Sequence, residues 1–588
     1  MEETTTIRQP LVKYLPGLRP YQTEGVKFEL RVERGWLADD PGLGKTHQGI
    51  GLLYAAEPYP VVISCPKAAK GVWEDHCASL LPDKNVLVLS HLPSKSTVNY
   101  LLAQLGVTAV KFEEEQPVED TSQVSLNLDW ITDDSVTVPF VPIKPRTLKR
   151  KVNGTTSRKV DALAKALLLR PDIVILNHDI LHAWAPVLVA LGIKCVLFDE
   201  FHKFKGMKSR RTKAALGLVR GTIALPLPAG SDKKKRAKNV KAGQPVRYRI
   251  GLTATPIMNR PGELIPQLEI LGRLQEMGGY FHFVQRYCGA QNNKFGMDIS
   301  RATNTTELHE RLKSYMLRRT TDEVMPDLPP IQFAVVPVEL DNRAEYDKAE
   351  EELLEWIWEY AVHEEEFLKT IAHLSPEEQQ RKKYEYGNSK EEKALKAERL
   401  VKMNVLRQLA AKGKLTVAKD FIEDFLENEK KLIIFAHHRV IQHKIAEALP
   451  GCAQIKGGDS DAVRRHAEKQ FQTNPKVLPI VLSLGAASEA ITLTAAHHEL
   501  FLELAWSPET LKQAMGRAYG RANDPHGVIA YYMLARDTID YDMWRMLEEK
   551  RNMIGEIMSG KAPTTHINIL EEVYEIYRQK ALARKRAA

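Results

Sequence analysis

The chain has 588 residues, too many for one core, and its 44% hydrophobic and 27% charged residues match an ordinary soluble globular protein. No run of about 18 apolar residues occurs, so no membrane span is expected, and the opening MEETTTIRQPLVKYLPG lacks the basic-then-apolar pattern of a secretion signal. Five cysteines stand singly without metal-ligand spacing, which fits free thiols in a reducing interior, and a net charge of +8 permits a polyanionic partner without identifying one.

In chain order, the first informative stretch is RGWLA at 34–38, which predicts a short strand. It leads through two acids and a proline into Gly42, Leu43, Gly44, Lys45 and Thr46, and THQGIGLLYAA then carries apolar residues at helical spacing. Glycines let backbone N–H groups approach phosphate oxygens, a lysine there reaches the terminal phosphates, and a hydroxyl ligates Mg²⁺. Strand, glycine turn and helix N-terminus together make an anion site. Asp39 stands where the strict eight-residue phosphate-loop pattern has its first glycine, so this is the shorter G-x-G-K-T form. His47, next along, reads as packing.

The segment near 105–160 turns from acidic (KFEEEQPVED) to basic (KPRTLKRKVNGTTSRK) and interrupts the strand–helix alternation. Residues 193–198 predict a buried parallel strand ending in Asp199-Glu200-Phe201-His202. Asp199 is placed to hold the Mg²⁺ shell and Glu200 to polarise an attacking water. A second interruption, 225–249, is rich in proline, glycine and basic residues and predicts a mobile loop; its KKKRAK run suits either a phosphate backbone or bare solvent. Residues 341–400 show helical spacing without sustained heptads and predict helices bridging two lobes. His437-His438 and His497-His498 lack partners at metal spacing, so zinc is not expected. The tail YEIYRQKALARKRAA predicts a frayed basic helix.

Taken together these stretches resemble a superfamily-two helicase-type motor, and in detail the Swi/Snf-type DNA translocases. LRPYQTEGVKF resembles their adenine-reading motif, which makes Gln22 the adenine contact. VVISCPKAAKGVWEDH resembles the next motif, with Pro66 and Lys67 near the DNA track; DIVILNHDIL and DEFH follow, His202 included. IGLTATPIMNRPGEL resembles the motif coupling hydrolysis to DNA, through Thr253, Thr255 and Pro256, and YMLRRTTDEVMPDLPP is a family-specific signature. In the second half, KLIIFAHHRVIQHKIAEAL is similar to the annealing-helicase, HARP-like branch, and Trp506 holds a family position. QAMGRAYGR supplies Gln513 to the coupling and nucleic-acid set and Arg517 and Arg521 to catalysis. The sequence departs from the family in lacking the usual glycine near Ala490, in spacing Arg517 and Arg521 four residues apart rather than three, and in Asn523 for a closing glutamine. On a helix, that spacing leaves both arginines near one face.

The resemblance implies an α/β chain of two RecA-like parallel-sheet lobes in tandem with helical insertions between them. Lobe 1 is expected at 1–330, a helical linker at 331–400, lobe 2 at 401–560 and a basic helical tail at 561–588. It implies ATP and Mg as cofactors and DNA, double-stranded or branched, as partner to a monomer. Hydrolysis would drive tracking on duplex DNA, with strand annealing, branch migration or displacement of bound protein as output. A strand-separating DNA or RNA helicase, and a nucleotide-dependent binding module with little turnover, are the alternatives. The expected place is intracellular: nucleoid or host cytoplasm for a bacterial or viral source, nucleus for a eukaryotic one.

Overall fold

The computed structural model describes residues 13–107, 166–224, 239–257, 260–293, 296–299, 302–327, 329, 331–428, 431–487, 491, 493–518, 527–558 and 569–587. The first described element is helix α1 (Pro20–Val32), which opens on a proline, where a missing N–H costs nothing, and on the Arg19 amide donating to Gln22 Oε1 at 3.0 Å. Strand β1 (Arg34–Leu37) runs into the glycine turn and helix α2 (Lys45–Ala56), as the residue pattern predicts. Strand β2 (Val61–Cys65), helix α3 (Lys70–Leu80) and strands β3 (Val86–Leu89), β4 (Ile173–Asn177), β5 (Cys195–Asp199), β6 (Tyr248–Leu252) and β7 (Met316–Leu317) complete the first half. They form one seven-stranded sheet in the order β7-β1-β6-β5-β2-β4-β3, with every pairing parallel. Helices cover both faces, so β2 and β4 are buried along their whole length and read as unbroken apolar runs.

The second half holds strand β8 (Gln332–Val338), helices α4 (Arg343–Ile371) and α5 (Lys390–Gly413), strand β9 (Leu432–Ala436) and helix α6 (Arg439–Ala448). Strand β10 (Ala453–Ile455), helix α7 (Asp461–Thr473) and strands β11 (Pro479–Ser483) and β12 (His498–Phe501) follow. Helix α8 (Pro508–Met515), strand β13 (Ile529–Ala535) and helices α9 (Ile539–Met558) and α10 (Ile569–Ala587) end the chain. The second sheet is six-stranded and parallel, ordered β8-β13-β12-β9-β11-β10. The two-lobe α/β expectation therefore holds. Among the described residues no helix is long and apolar enough to cross a membrane.

Three expectations are corrected. The span 331–400 is not a linker: β8 is an edge strand of the second sheet, and Tyr346, Leu353 and Ile357 of α4 and Met403 and Leu406 of α5 are buried in that sheet's core. The sequence conceals β8 because an edge strand exposes alternate residues and tolerates Pro337. The tail is not frayed: Ile569, Val573, Tyr577 and Ala581 recur every fourth residue, form one helical stripe and join the same core. Lys580 pairs with Asp542 at 3.0 Å and Arg578 with Glu364 at 3.0 Å on the outer side. The third concerns 225–249, of which 225–238, with the KKKRAK run, lie outside the described residues. Its remainder is built, since Asn239–Lys241 pairs antiparallel with Thr222–Ala224 and Tyr248 opens β6. The interruption over 108–165 also lies outside the described residues.

Candidate active site

The glycine turn sits at the carboxyl end of β1, beside the carboxyl ends of β6 and β5, where parallel sheets place their ligand sites. Gly42 (φ 84°) and Gly44 (φ 69°) both take left-handed backbone. At Gly44 a Cβ would also fall 2.4 Å from Gln22 Nε2, so the glutamine expected to read adenine lies directly against the loop, and that Nε2 donates to Leu43 O at 3.3 Å. Lys45 Nζ donates to the carbonyls of Asp39 (2.7 Å) and Asp40 (3.0 Å), which hold the amine across the turn. Burial lowers the pKa of that amine, opposed by the carboxylates of Glu200, Asp39, Asp40 and Asp199.

Those carboxylates come from the end of β5. Asp199 Oδ2 accepts from the Trp73 indole at 2.9 Å, and Asp199 Oδ1 accepts from the Glu200 amide at 3.0 Å. Burial and the neighbouring Glu200 push Asp199 up to about 6. Burial pushes Glu200 the same way, but His202, Lys45 and Lys203 outweigh it and hold that carboxyl at about 2. Glu200 Oε2 is 3.2 Å from His202 Nδ1, which is itself 2.9 Å from Thr253 Oγ1. Thr253 Oγ1 in turn accepts the Thr255 amide at 3.2 Å. Glu200, His202, Thr253 and Thr255 thus form one connected chain from β5 to the segment after β6.

The second sheet contributes from the opposite side. Arg517 NH1 donates to Ile491 O at 3.4 Å; burial lowers its pKa, opposed first by Glu200 and Asp199 of the first lobe and then by Glu468 and Glu499 of the second. Lys512 Nζ pairs with Asp40 Oδ1 at 2.9 Å, and a Cβ on Gly516 would meet Pro41 at 3.0 Å, so α8 abuts the glycine turn itself. Arg517 is not on a helix as expected: α8 stops at Met515, Gly516 caps it, and Arg517 lies in the turn beyond. Arg521, Asn523 and Ala490 lie outside the described residues.

Gln22, Gly42, Leu43, Gly44, Lys45, Thr46, Asp199, Glu200, His202, Thr253, Thr255 and Arg517 are therefore brought to one cleft. Pro66 and Lys67 are set apart on the turn before α3, where Lys67 is exposed, and Gln513 is half-buried on α8. Sequence reasoning missed Trp73, Arg319 and Lys512. Arg319 lay inside the quoted signature YMLRRTTDEV; its Nε donates to Asp39 Oδ1 at 3.0 Å and its NH2 to Asp39 Oδ2 at 2.5 Å. At the start of α6 the amides of His437 and His438 both donate to Glu503 Oε2, at 2.7 Å and 2.8 Å. The Trp506 ring carries the Arg407 guanidinium 4.8 Å from its centroid.

The SNF2-related domain family matches residues 21–221 and 229–409, and the helicase conserved C-terminal domain matches 413–523. Among curated relatives, the human DNA annealing helicase and endonuclease ZRANB3 is 27% identical, covering 94% of this chain and 42% of its own length. The Xenopus laevis SWI/SNF-related matrix-associated actin-dependent regulator of chromatin subfamily A-like protein 1 is 26% identical, over 92% of this chain and 44% of its own. The chain thus spans less than half the length of these relatives. A solved structure titled Sulfolobus solfataricus SWI2/SNF2 ATPase core in complex with dsDNA is 19% identical with a TM-score of 0.36, covering 93% of this chain and 94% of that one.

Proposed function

The chain belongs to the SNF2-related family, and from that premise we propose that it is a DNA-dependent ATPase that tracks along duplex or branched DNA as a monomer. The observation that carries the reading is the meeting of Lys45, Asp199 and Glu200 from the first sheet with Arg517 from the second. Gly42, Leu43 and Gly44 offer backbone amides to the phosphates of ATP, Lys45 exchanges its two carbonyl partners for phosphate oxygens, and Gln22 reads the base.

The donor set fits a magnesium ion: a hydroxyl at a helix N-terminus (Thr46), a carboxylate at a strand end (Asp199), and beside them the buried carboxylate of Glu200. When bound, the ion neutralises phosphate charge. Glu200 is ionised at neutral pH and takes the proton of the attacking water. Arg517 stabilises charge on the transferred phosphate. The Glu200–His202–Thr253 chain links this acid to the coupling segment, and Pro66 and Lys67 meet the DNA backbone. The printed name of the ZRANB3 relative, a DNA annealing helicase, supports strand annealing as the output.

Two variants test the assignment. Lys45→Ala should abolish hydrolysis and weaken ATP binding. Glu200→Gln should bind ATP normally and lose about 10²–10⁴-fold in turnover, the usual contribution of a positioned base. Wild-type turnover in Glu200→Gln would remove Glu200 from that role.

A further inference from the structure

Trp73 has a place in the site that neither its motif nor the composition signals. It is 1% exposed, on α3, and its ring packs on the phosphate-loop helix: a Cβ on Gly49 of α2 would fall 3.3 Å from it. Its indole N–H reaches across to Asp199 Oδ2 at 2.9 Å, while the Glu200 amide takes Oδ1 at 3.0 Å. Each carboxylate oxygen thus has one donor and keeps a lone pair for a cation. Two donors on different elements fix both the position and the rotation of the carboxylate, while the ring fixes the distance between α2 and β5. The helix carrying Trp73 starts directly after the Lys67–Ala69 turn.

We propose that Trp73 is a positioning residue for the magnesium-holding carboxylate: its indole N–H aims Asp199 at the metal and ties that aim to the segment following Lys67. This rests on the reading of Asp199 as a magnesium-holding residue. A hydrogen bond from a neighbour orients a metal-ligating carboxylate, and losing such a partner typically costs about 10–100-fold in metal affinity or activity. A merely structural tryptophan would leave metal affinity unchanged once the protein is folded.

The test uses the full chain and a non-hydrolysable ATP analogue, with calorimetry and a Mg²⁺ titration of analogue binding. Trp73→Phe keeps the ring and removes the donor. It should bind the metal-free analogue within about twofold of wild type, while the Mg²⁺ needed for half-saturation rises about tenfold or more. Trp184→Phe makes the same change at another buried indole, which donates to His91 O at 2.9 Å, and should move neither value. Equal Mg²⁺ midpoints in folded Trp73→Phe and wild type overturn the proposal while leaving the nucleotide reading intact. A wild type that binds no nucleotide overturns both. Should Trp73→Phe not fold, ¹⁵N-indole spectra of wild type decide: one of the eight tryptophan signals should shift on adding Mg²⁺ to the analogue complex and respond to Asp199→Asn. No signal behaving so overturns the proposal.

Discussion

Asp39 occupies the position of a glycine in the strict phosphate loop, and its surroundings explain why an acid is held there. It is 0% exposed, gripped by Arg319 and by Gln48 Nε2 at 3.1 Å, while Arg319 also donates to the Tyr21 carbonyl and to Gln48 Oε1 at 2.9 Å. The loop is thereby anchored to α1 and to the chain after β7, through a residue so distant in sequence that no spacing rule connects them. Behind this pair lies Glu29, also 0% exposed, with neither oxygen hydrogen-bonded. Burial, then Asp39, pushes Glu29 up to about 8, with Arg319 opposing. In the unfolded chain the same group titrates near about 4.3. Between those values the folded protein keeps a proton that the unfolded chain has released, so raising the pH costs stability. Glu29→Gln should remove that cost, gaining on wild type from about pH 5 to about pH 8 and levelling off above it. Urea unfolding at several pH values measures this; parallel pH profiles for variant and wild type would refute the buried, protonated state of Glu29.

Among the elements, α3 is the one the residue pattern undersold. Its stretch was legible only as part of a motif expected near the DNA track, but its contacts show it meeting three partners. Trp73 reaches the acid strand, and His76 stands edge-on to His47 of the phosphate-loop helix at 4.7 Å. From the second lobe, the Arg465 guanidinium of α7 lies on Gly71, where a Cβ would be 1.3 Å from NH2, and reaches Asp75 at 3.3 Å. An exposed pair like this contributes only about 0.2–1 kcal/mol. Asp75→Arg and Arg465→Asp should therefore each lower DNA-stimulated ATP hydrolysis modestly, and the double exchange should restore it. Gly71→Ala should act more strongly than either, since the new methyl takes the guanidinium's seat. A double-mutant cycle of turnover measures the coupling, and additive single effects would mean the contact does not join the lobes in the working state. Helices α4, α5 and α10 were legible as helices but not as parts of a lobe, because periodicity shows that a face is buried and not against what.

At the scale of the whole molecule, the two sheets were readable because parallel strands covered on both faces are near-continuous apolar runs, as in VVISC, IVILN and LIIFA. The lobe-one half of the site was readable because Gly42–Thr46 and Asp199–Glu200 are local stretches at strand ends. The approach of the second lobe was not, because it depends on how two sheets face each other: Lys512 on Asp40, Gly516 on Pro41 and the charge of Arg517 among acids of both lobes. On the proposed reading, that cleft is where ATP is hydrolysed, and hydrolysis coupled to DNA is the reading's central consequence. Steady-state ATP hydrolysis by the full chain, with and without duplex DNA, tests it most directly. The expected result is low turnover alone and marked stimulation by duplexes of any sequence, fading as salt rises and phosphate contacts weaken. Turnover that is the same with and without duplex DNA, at low salt and saturating Mg·ATP, would contradict it.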